Sequence, residues 1–475
     1  MMDSMVNEKS VTFKDIEKEI FDLVCEAGRE LTKEVLEGHD RHLHETRDRA
    51  KFRDKGCRRT TIKTVYGEVT YDRHVYQTCD EYGIKHCTYL LDEDLNLNRI
   101  GLISENYVEI LISAITETSY RNSAKRVSEA TGLSISHTGV WNVIQALGEK
   151  LENDEKELVK TDKDKKIKGR KEAPVLFEEA DGVWLNLQGE DRKQRKYPKA
   201  EMKAAITYDG WVDRGSGRYS LDGKVVTVGF DKAADFQRLR EAMIASEYDL
   251  DEVQVRFLNG DGASWIKKTR DKKTIFQLDP FHRNKAIREN LSHKKAIHDV
   301  MDLLEREQIE EMFEYLTIYK DSLTEDEEIE KAEDLIRYFR MNKEGLLPYQ
   351  KRGIDIPASP KGLIYKNMGT MENHIWSIIA HRMKHNHTSW SIRGGNHLAK
   401  ILAKKCSGKL YEVTEQLRIP IFEEEKFEEI KGDILQAAKI KERIGRGYAY
   451  PVKGHVACLD TETRGNYQKL LLWRD

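Results

Sequence analysis

The sequence predicts an α/β (α+β) catalytic domain, interrupted by an α-helical insertion and preceded by a region of helices and a β-hairpin. Three observations predict it. From about Pro174 the apolar runs follow the order strand, strand, strand, helix, strand, helix, strand. Three carboxylates, Asp181 in EEADGVW, Asp261 in NGDGASW and Glu372 in GTMENHIW, each stand beside a glycine or at the mouth of a helix. Between the second and third lies a long, acidic, helix-patterned stretch.

The first element is an amphipathic helix, because Phe13, Ile16, Ile20, Leu23, Ala27, Leu31 and Val35 recur at helical spacing. Its apolar face is expected to pack on a partner domain or a second subunit. Thr60 to Tyr66 and Val69 to Tyr76 alternate β-forming residues around Gly67-Glu68, which predicts a hairpin; this region spans residues 1–100. In 101–153, a helix from Leu102 to Thr118 precedes the order of a helix-turn-helix: Tyr120 to Ala130, a Thr131-Gly132-Leu133-Ser134 turn, and Ser136 to Leu147. Val140, Ile144 and Leu147 would face inward, and Ser136, His137, Gly139 and Asn142 would point to a DNA major groove. The same spacing also fits an ordinary helical pair. Asn153 to Lys171 is dominated by charge and is expected to be a linker.

The catalytic domain is expected over 172–282 and 346–405. Its strands are Val175 to Leu187, Met202 to Trp211, Lys224 to Phe230, Val253 to Leu258 and Thr274 to Leu278, with a helix from Ala233 to Glu247 and another beginning near Asp261. This is the order of a ribonuclease H-like domain, in which the first strand and the end of the fourth carry aspartates and a later helix brings a third carboxylate. Asp181 and Asp261 are accordingly expected at strand ends, where glycine lets the backbone turn close to a ligand, with Glu372 opening a helix. Oxygen ligands suit Mg²⁺, and converging carboxylates can hold a pair of ions that activate a nucleophile and stabilise a leaving oxygen in phosphoryl transfer. With 83 Asp and Glu in 475 residues, most acidic positions are merely solvated, so the order of elements carries this assignment. Trp376, one turn after Glu372, is expected to pack in the core with Ile375, Ile379 and Met383.

The segments EEADGVW, FLNGDGASWI, QLDPFHRNKAI and GTMENHIWSIIAHRMK resemble insertion-sequence transposases of the ISLre-two type, a DDE family, nearly end to end. Asp279-Pro-Phe-His282 is similar to the Asp/Cys-x-x-His element of Mutator-type transposases. The resemblance implies that Asp181, Asp261 and Glu372 are the catalytic and metal-binding triad, with Asp279 and His282 supporting it. It implies Mg²⁺ as cofactor, with Mn²⁺ an acceptable substitute. About 111 residues separate Asp261 from Glu372, so an α-helical insertion is expected over 283–345. The implied activity is cleavage and strand transfer of transposon ends and target DNA by at least a homodimer. A nuclease or resolvase of the same fold, or a non-catalytic helix-turn-helix regulator, would share parts of this pattern.

Length agrees with about three domains, and mean hydropathy is -0.69. No apolar run is long enough to span a membrane, and MMDSMVNEKS leads into a helix without a secretory pattern, so a cytoplasmic protein is expected. The net charge of -3 is uneven: Met301 to Arg340 carries 14 acidic and 5 basic residues, leaving +6 elsewhere. Arg41 to His74 holds 10 basic and 5 acidic residues, and Lys160 to Lys171 and Arg192 to Lys203 are also Lys/Arg-rich, which suits phosphate contact. Arg382 and Lys384 are expected DNA contacts. The cysteines at 25, 57, 79, 87, 406 and 458 form no CxxC pair, so reduced thiols are expected. Cys79, His86 and Cys87, with Cys57 and His74 nearby, could bind zinc across a hairpin, but at no standard spacing. His381 and His385 sit one turn apart without the glutamate of a zincin. In the C-terminal region, 406–475, Phe422 to Asp433 is acidic and the tail from Lys441 is basic.

Overall fold

The structure, a computed structural model, describes residues 11–97, 101–163, 167–267, 273–384 and 388–415. His385, Cys458, the acidic segment at 422–433 and the basic tail lie outside them.

Helix α1 (Phe13–Thr46) starts in a capping box, Thr12 accepting from the Asp15 N–H while the Asp15 carboxylate accepts from the Thr12 N–H. Its C-terminal half lies on a three-stranded antiparallel sheet, β1 (Arg53–Thr64), β2 (Gly67–Cys79) and β3 (Lys85–Thr88), with the short α2 (Leu90–Asp94) alongside. Leu36, Ile62, Val69, Tyr71 and Leu91 form the core between them. The hairpin turn is Val65-Tyr66 rather than Gly67-Glu68, because Thr64 pairs directly with Gly67, whose φ of +119° only glycine adopts cheaply. In the N-terminal half of α1, Phe13, Ile16, Ile20 and Leu23 are exposed.

Three helices follow, α3 (Glu105–Glu117), α4 (Tyr120–Thr131) and α5 (His137–Lys163). Gly132, at φ +68°, ends α4. Helix α5 runs 27 residues and overturns the expected linker through Lys163. The reason lies far along the chain, on α15 (Ile392–Cys406): Arg393 pairs with Glu149 at 3.1 Å, the buried His397 meets Gln145 at 2.9 Å, and Lys400 pairs with Glu155. Glu149 and Glu155 of α5 are thus answered by cations of another helix.

The central sheet has the order β10-β9-β4-β5-β8. Strand β5 (Lys199–Tyr208) is antiparallel to both its neighbours, β4 (Val175–Asn186) and β8 (Val225–Gly229), and β9 (Val255–Gly260) and β10 (Thr274–Leu278) run parallel to β4. The short α6 (Gly189–Lys193) sits in the β4–β5 connection, and β6 (Trp211–Asp213) pairs with β7 (Tyr219–Leu221). Helix α7 (Ala233–Glu247) covers one face, where Glu178, Glu241, Arg240 and Arg256 form a buried ionic quartet; Arg256 Nε donates to Glu178 at 2.6 Å and its NH1 to Glu241 at 2.8 Å. The other face, with Phe177, Val183, Met202 and Phe257, shares one hydrophobic core with α3, α4, α5 and α15.

After α8 (Ser264–Lys267) and β10 come α9 (Pro280–Asn290), α10 (Lys294–Glu305), α11 (Ile309–Asp321) and α12 (Asp326–Met341), which enclose their own core of Val300, Leu304, Met312, Leu316, Leu335 and Phe339. The chain returns through two short 3₁₀ turns to α13 (Met371–Ile375), a π-helical turn at Trp376–Ala380, α14 (His381–Met383), α15 and α16 (Glu412–Glu415). Among the described residues no helix is long and apolar enough to cross a membrane.

Gly148 marks a tight crossing of α5 and α15: a Cβ there would lie 2.2 Å from His397 Cβ and 2.6 Å from its Cα. Gly148→Ala should therefore cost about 1–3 kcal/mol through overpacking. Gly38→Ala, in α1 with nothing within 4 Å, should be neutral or stabilise by up to about 1 kcal/mol. Denaturation midpoints of the two variants check this; equal effects would mean that α5 and α15 are not in close contact.

Candidate functional site

Strand β4 contributes two acidic residues to one face, since side chains two apart share a side. Its parallel pairing with β9 ends at Ala180 opposite Gly260, so Asp181 and Asp261 leave adjacent strands at one level. Asp181 is not at a strand end: β4 continues to Asn186, held by antiparallel pairing with β5, and Asp181 is opposite Ala204. Nor does Gly182 turn the chain. It lies within the strand, where any Cβ would meet Glu201 Oε1 at 2.2 Å. Gly262 does turn, at φ +88°, and Asp261 Oδ1 accepts from the Ala263 N–H at 2.8 Å. Helix α12 reaches this point as well, Tyr338 donating its hydroxyl to the Asp261 carbonyl at 2.7 Å.

Burial pushes the Asp261 carboxyl above its ordinary range; the Ala263 N–H opposes this and the neighbouring Asp181 charge adds to it. Asp279 caps α9, accepting from the Phe281 and His282 N–H groups at 2.8 and 3.2 Å, with Pro280 as first helical residue. Its other oxygen accepts from Asn259 Nδ2 at 2.6 Å. This cap aims His282 at the aspartates, its Nε2 lying 3.6 Å from Asp181 Oδ2. Its pairing with the Asp181 carboxylate raises the His282 pKa, against desolvation, with further help from the charges of Asp279 and Asp261.

Glu372 opens a helix as expected, second in α13 and exposed. What holds that helix is Glu179, fully buried and two residues before Asp181. Its Oε2 accepts from the backbone N–H groups of Gly369, Thr370 and Met371 at 3.0, 2.8 and 3.1 Å. Its Oε1 accepts from the hydroxyls of Thr370 at 2.8 Å and Tyr208 at 2.6 Å. Asn259 joins Glu179 to Asp279. Sequence reasoning passed over Glu179 and Asn259; the available signal was a pair of glutamates inside an apolar strand, where an ionised side chain survives only with several donors.

The donor set is oxygen-rich and fits a hard divalent cation. Asp181 and Asp261 stand at one level on adjacent strands, but the ligand atoms of Asp181, Asp261 and Glu372 do not all lie within 4.8 Å of one another, and Glu372 is exposed. Ser136, His137, Asn142 and Lys384 are exposed. Arg382 is not a surface contact: it is 7% exposed, donates Nε to the Ile115 carbonyl at 2.8 Å, and lies over the Tyr120 and Trp390 rings. Trp376, expected in the core, is 54% exposed, because the π-helical turn shifts the register, and it rests against the His381 ring. Lys171 serves Asp209 and Asp222 rather than an open surface, and the buried Lys203 donates to the Asp231 carbonyl. Cys79 and Cys87 are exposed and His86 pairs with Asp80 at 2.9 Å, and among the described residues Cys79, His86 and Cys87 do not gather at metal-binding distance.

A family model described as "Uncharacterised protein family (UPF0236)" matches residues 6–417. A UPF0236 protein of Caldanaerobacter subterraneus subsp. tengcongensis, whose name carries eleven locus labels, is 27% identical over 86% of this chain and 81% of its own. A second from that organism, with four locus labels, is 26% identical over 85% and 80%. The "UPF0236 protein in vanSb 3'region" of Streptococcus gallolyticus is 21% identical over 84% of each chain.

Two outcomes follow from the geometry. Glu179→Ala, which strands five buried or part-buried donors at the α13 mouth and on Tyr208 and leaves Asn259 short of one acceptor, should cost about 3–5 kcal/mol by denaturation, whereas Glu179→Gln keeps one acceptor and should cost less. His282, followed by NMR without added divalent cation, should titrate above the ordinary imidazole value and move down in Asp181→Asn. A raised folded pKa stabilises fully below the unfolded value of about 6.5, and this contribution disappears as pH rises through the folded value. An unmoved His282 in Asp181→Asn would show that the pair does not form.

Proposed function

The chain belongs to the uncharacterised protein family UPF0236, and from that premise we propose that it is a DDE transposase that cuts and rejoins DNA at the ends of an insertion sequence. The observation that carries this reading is the placement of Asp181 and Asp261 on adjacent parallel strands, with the helix of Glu372 fastened to the same strand through Glu179. The sheet order, with three antiparallel strands and two further strands parallel to the first, supports a ribonuclease H-like catalytic domain. One relative's eleven locus labels in a single organism are what an element that multiplies within a genome leaves behind.

In this reading Asp181 and Asp261 hold Mg²⁺, with Glu372 completing the set. Bound ions would supply activation of water or a DNA 3′-hydroxyl and stabilisation of the leaving oxygen. The protein's own contribution is position. Glu179 fixes the start of α13 relative to β4, and Asp279 fixes His282, which orients the Asp181 carboxylate and offsets its charge. Arg192, Arg195 and Lys196, exposed in the β4–β5 connection, are suited to the phosphate backbone. The α4–α5 pair serves as a helix-turn-helix, with Ser136, His137 and Asn142 toward base edges, and paired cutting of two ends calls for at least a dimer.

Asp181→Asn, Asp261→Asn and Glu372→Gln should each abolish cleavage and strand transfer of end DNA in Mg²⁺ while leaving DNA binding within about threefold, because they remove metal ligands and not phosphate contacts. Full cleavage by a variant removes that residue from the site, and cleavage without joined product in the unaltered protein favours a nuclease. The double substitution Ser136→Ala, Asn142→Ala in the full chain should lower the preference for terminal over scrambled DNA by about 1–3 kcal/mol. An unchanged preference would place sequence reading elsewhere.

A further inference from the structure

The N-terminal region brings together a cluster that the proposed chemistry does not use. His44 lies in the last turn of α1, Asp54 near the start of β1, and His74 within β2. Each offers one ligand atom, and the three atoms lie within 4.8 Å of one another; among the described residues no other His/Cys/Asp/Glu trio does so. The two imidazoles stack with centroids 4.0 Å apart.

Both rings are already oriented from behind. The buried Asp40 accepts from His74 Nδ1 at 2.6 Å and from the His74 backbone N–H at 3.1 Å. The Tyr76 hydroxyl meets His44 Nδ1 at 3.2 Å. Each ring therefore presents Nε2 as its remaining ligand atom, and a carboxylate or hydroxyl on the far nitrogen is the support that metal-binding histidines carry. An irregularity in the β1–β2 pairing falls between Asp54 and Cys57, and Cys57 stands directly opposite His74 across the hairpin, hence on the same sheet face.

We propose that His44, Asp54 and His74 bind one divalent transition-metal ion of the zinc class, with Cys57 closing the fourth position. Two imidazoles and a carboxylate select zinc or cobalt over magnesium. Ligand atoms around tetrahedral zinc lie about 3.3 Å apart, so a contraction of at most about 1.5 Å closes the site. The ion joins the end of α1 to both strands of the hairpin across the turn at 47–52. It thereby fixes a basic stretch of the chain, Arg41 to His74.

The test uses the full chain, stripped of metal and titrated with Co²⁺ in excess Mg²⁺, so that the carboxylate site takes no part. One equivalent of Co²⁺ should bind with the visible absorption of a four-coordinate ion, Zn²⁺ should displace it, and Zn²⁺ should raise the thermal midpoint. Asp54→Ala and His74→Gln should each weaken binding at least tenfold, and Asp40→Asn by about 10–100-fold. Asp54 is exposed, so its substitution carries the test even where the histidine variant folds poorly. Cys57→Ser should remove the sulfur-to-cobalt charge-transfer band; absence of that band in the unaltered protein overturns Cys57 as ligand. Asp181→Asn, Asp261→Asn should bind Co²⁺ normally. No equivalent bound more tightly than about 10 μM, or unchanged affinity in Asp54→Ala, overturns the site.

Discussion

The candidate site depends on one buried carboxylate. Glu179 has no cationic partner among its six hydrogen bonds; it is held by two hydroxyls, an amide and the three N–H groups at the mouth of α13. A charge in such surroundings is tolerable only because every lone pair is used and the helix N-terminus faces it with its positive end. Tyr208 is kept protonated, its pKa raised well above the ordinary phenol by burial and by Glu179, so it remains a donor. The arrangement ties β4, β5, β9 and the returning helix to one atom group. Asp181, two residues along, inherits that rigidity.

The tetrapeptide Glu178-Glu179-Ala180-Asp181 shows how alternation divides labour. Glu178 points to α7 and balances Arg256 and Arg240 within the quartet, while Glu179 and Asp181 point the other way. A buried ion pair of this kind adds little net stability over apolar packing but is costly to break from one side. It fixes which residues of β4 face which layer.

Much of this was legible from local pattern. The helix Ala233–Glu247 and the strand Thr274–Leu278 fall at the bounds read from periodicity, and the two aspartates emerge side by side because both follow apolar runs that pair in parallel. What failed depended on distant chain. Residues 153–163 read as a linker because Lys400, which pairs with Glu155 in that part of α5, lies some 240 positions away. Arg382 read as a surface cation because nothing nearby in sequence announces the Ile115 carbonyl. The Cys/His spacing of the hairpin pointed to Cys79 and Cys87, whereas the fold gathers His44 and Asp54 around His74, and the metal trio spans 30 residues and three elements.

The core shared by α3, α4, α5, α15 and the central sheet, closed by the Arg382 to Ile115 bond, has a consequence for inheritance. A segment whose inner face is cut to fit one sheet cannot be exchanged for that of a cousin without opening voids on both sides of the seam. Descendants of this chain that come to meet new ligands along the outer face of α5 would do so by point changes at solvent-facing positions, with the inner face held constant.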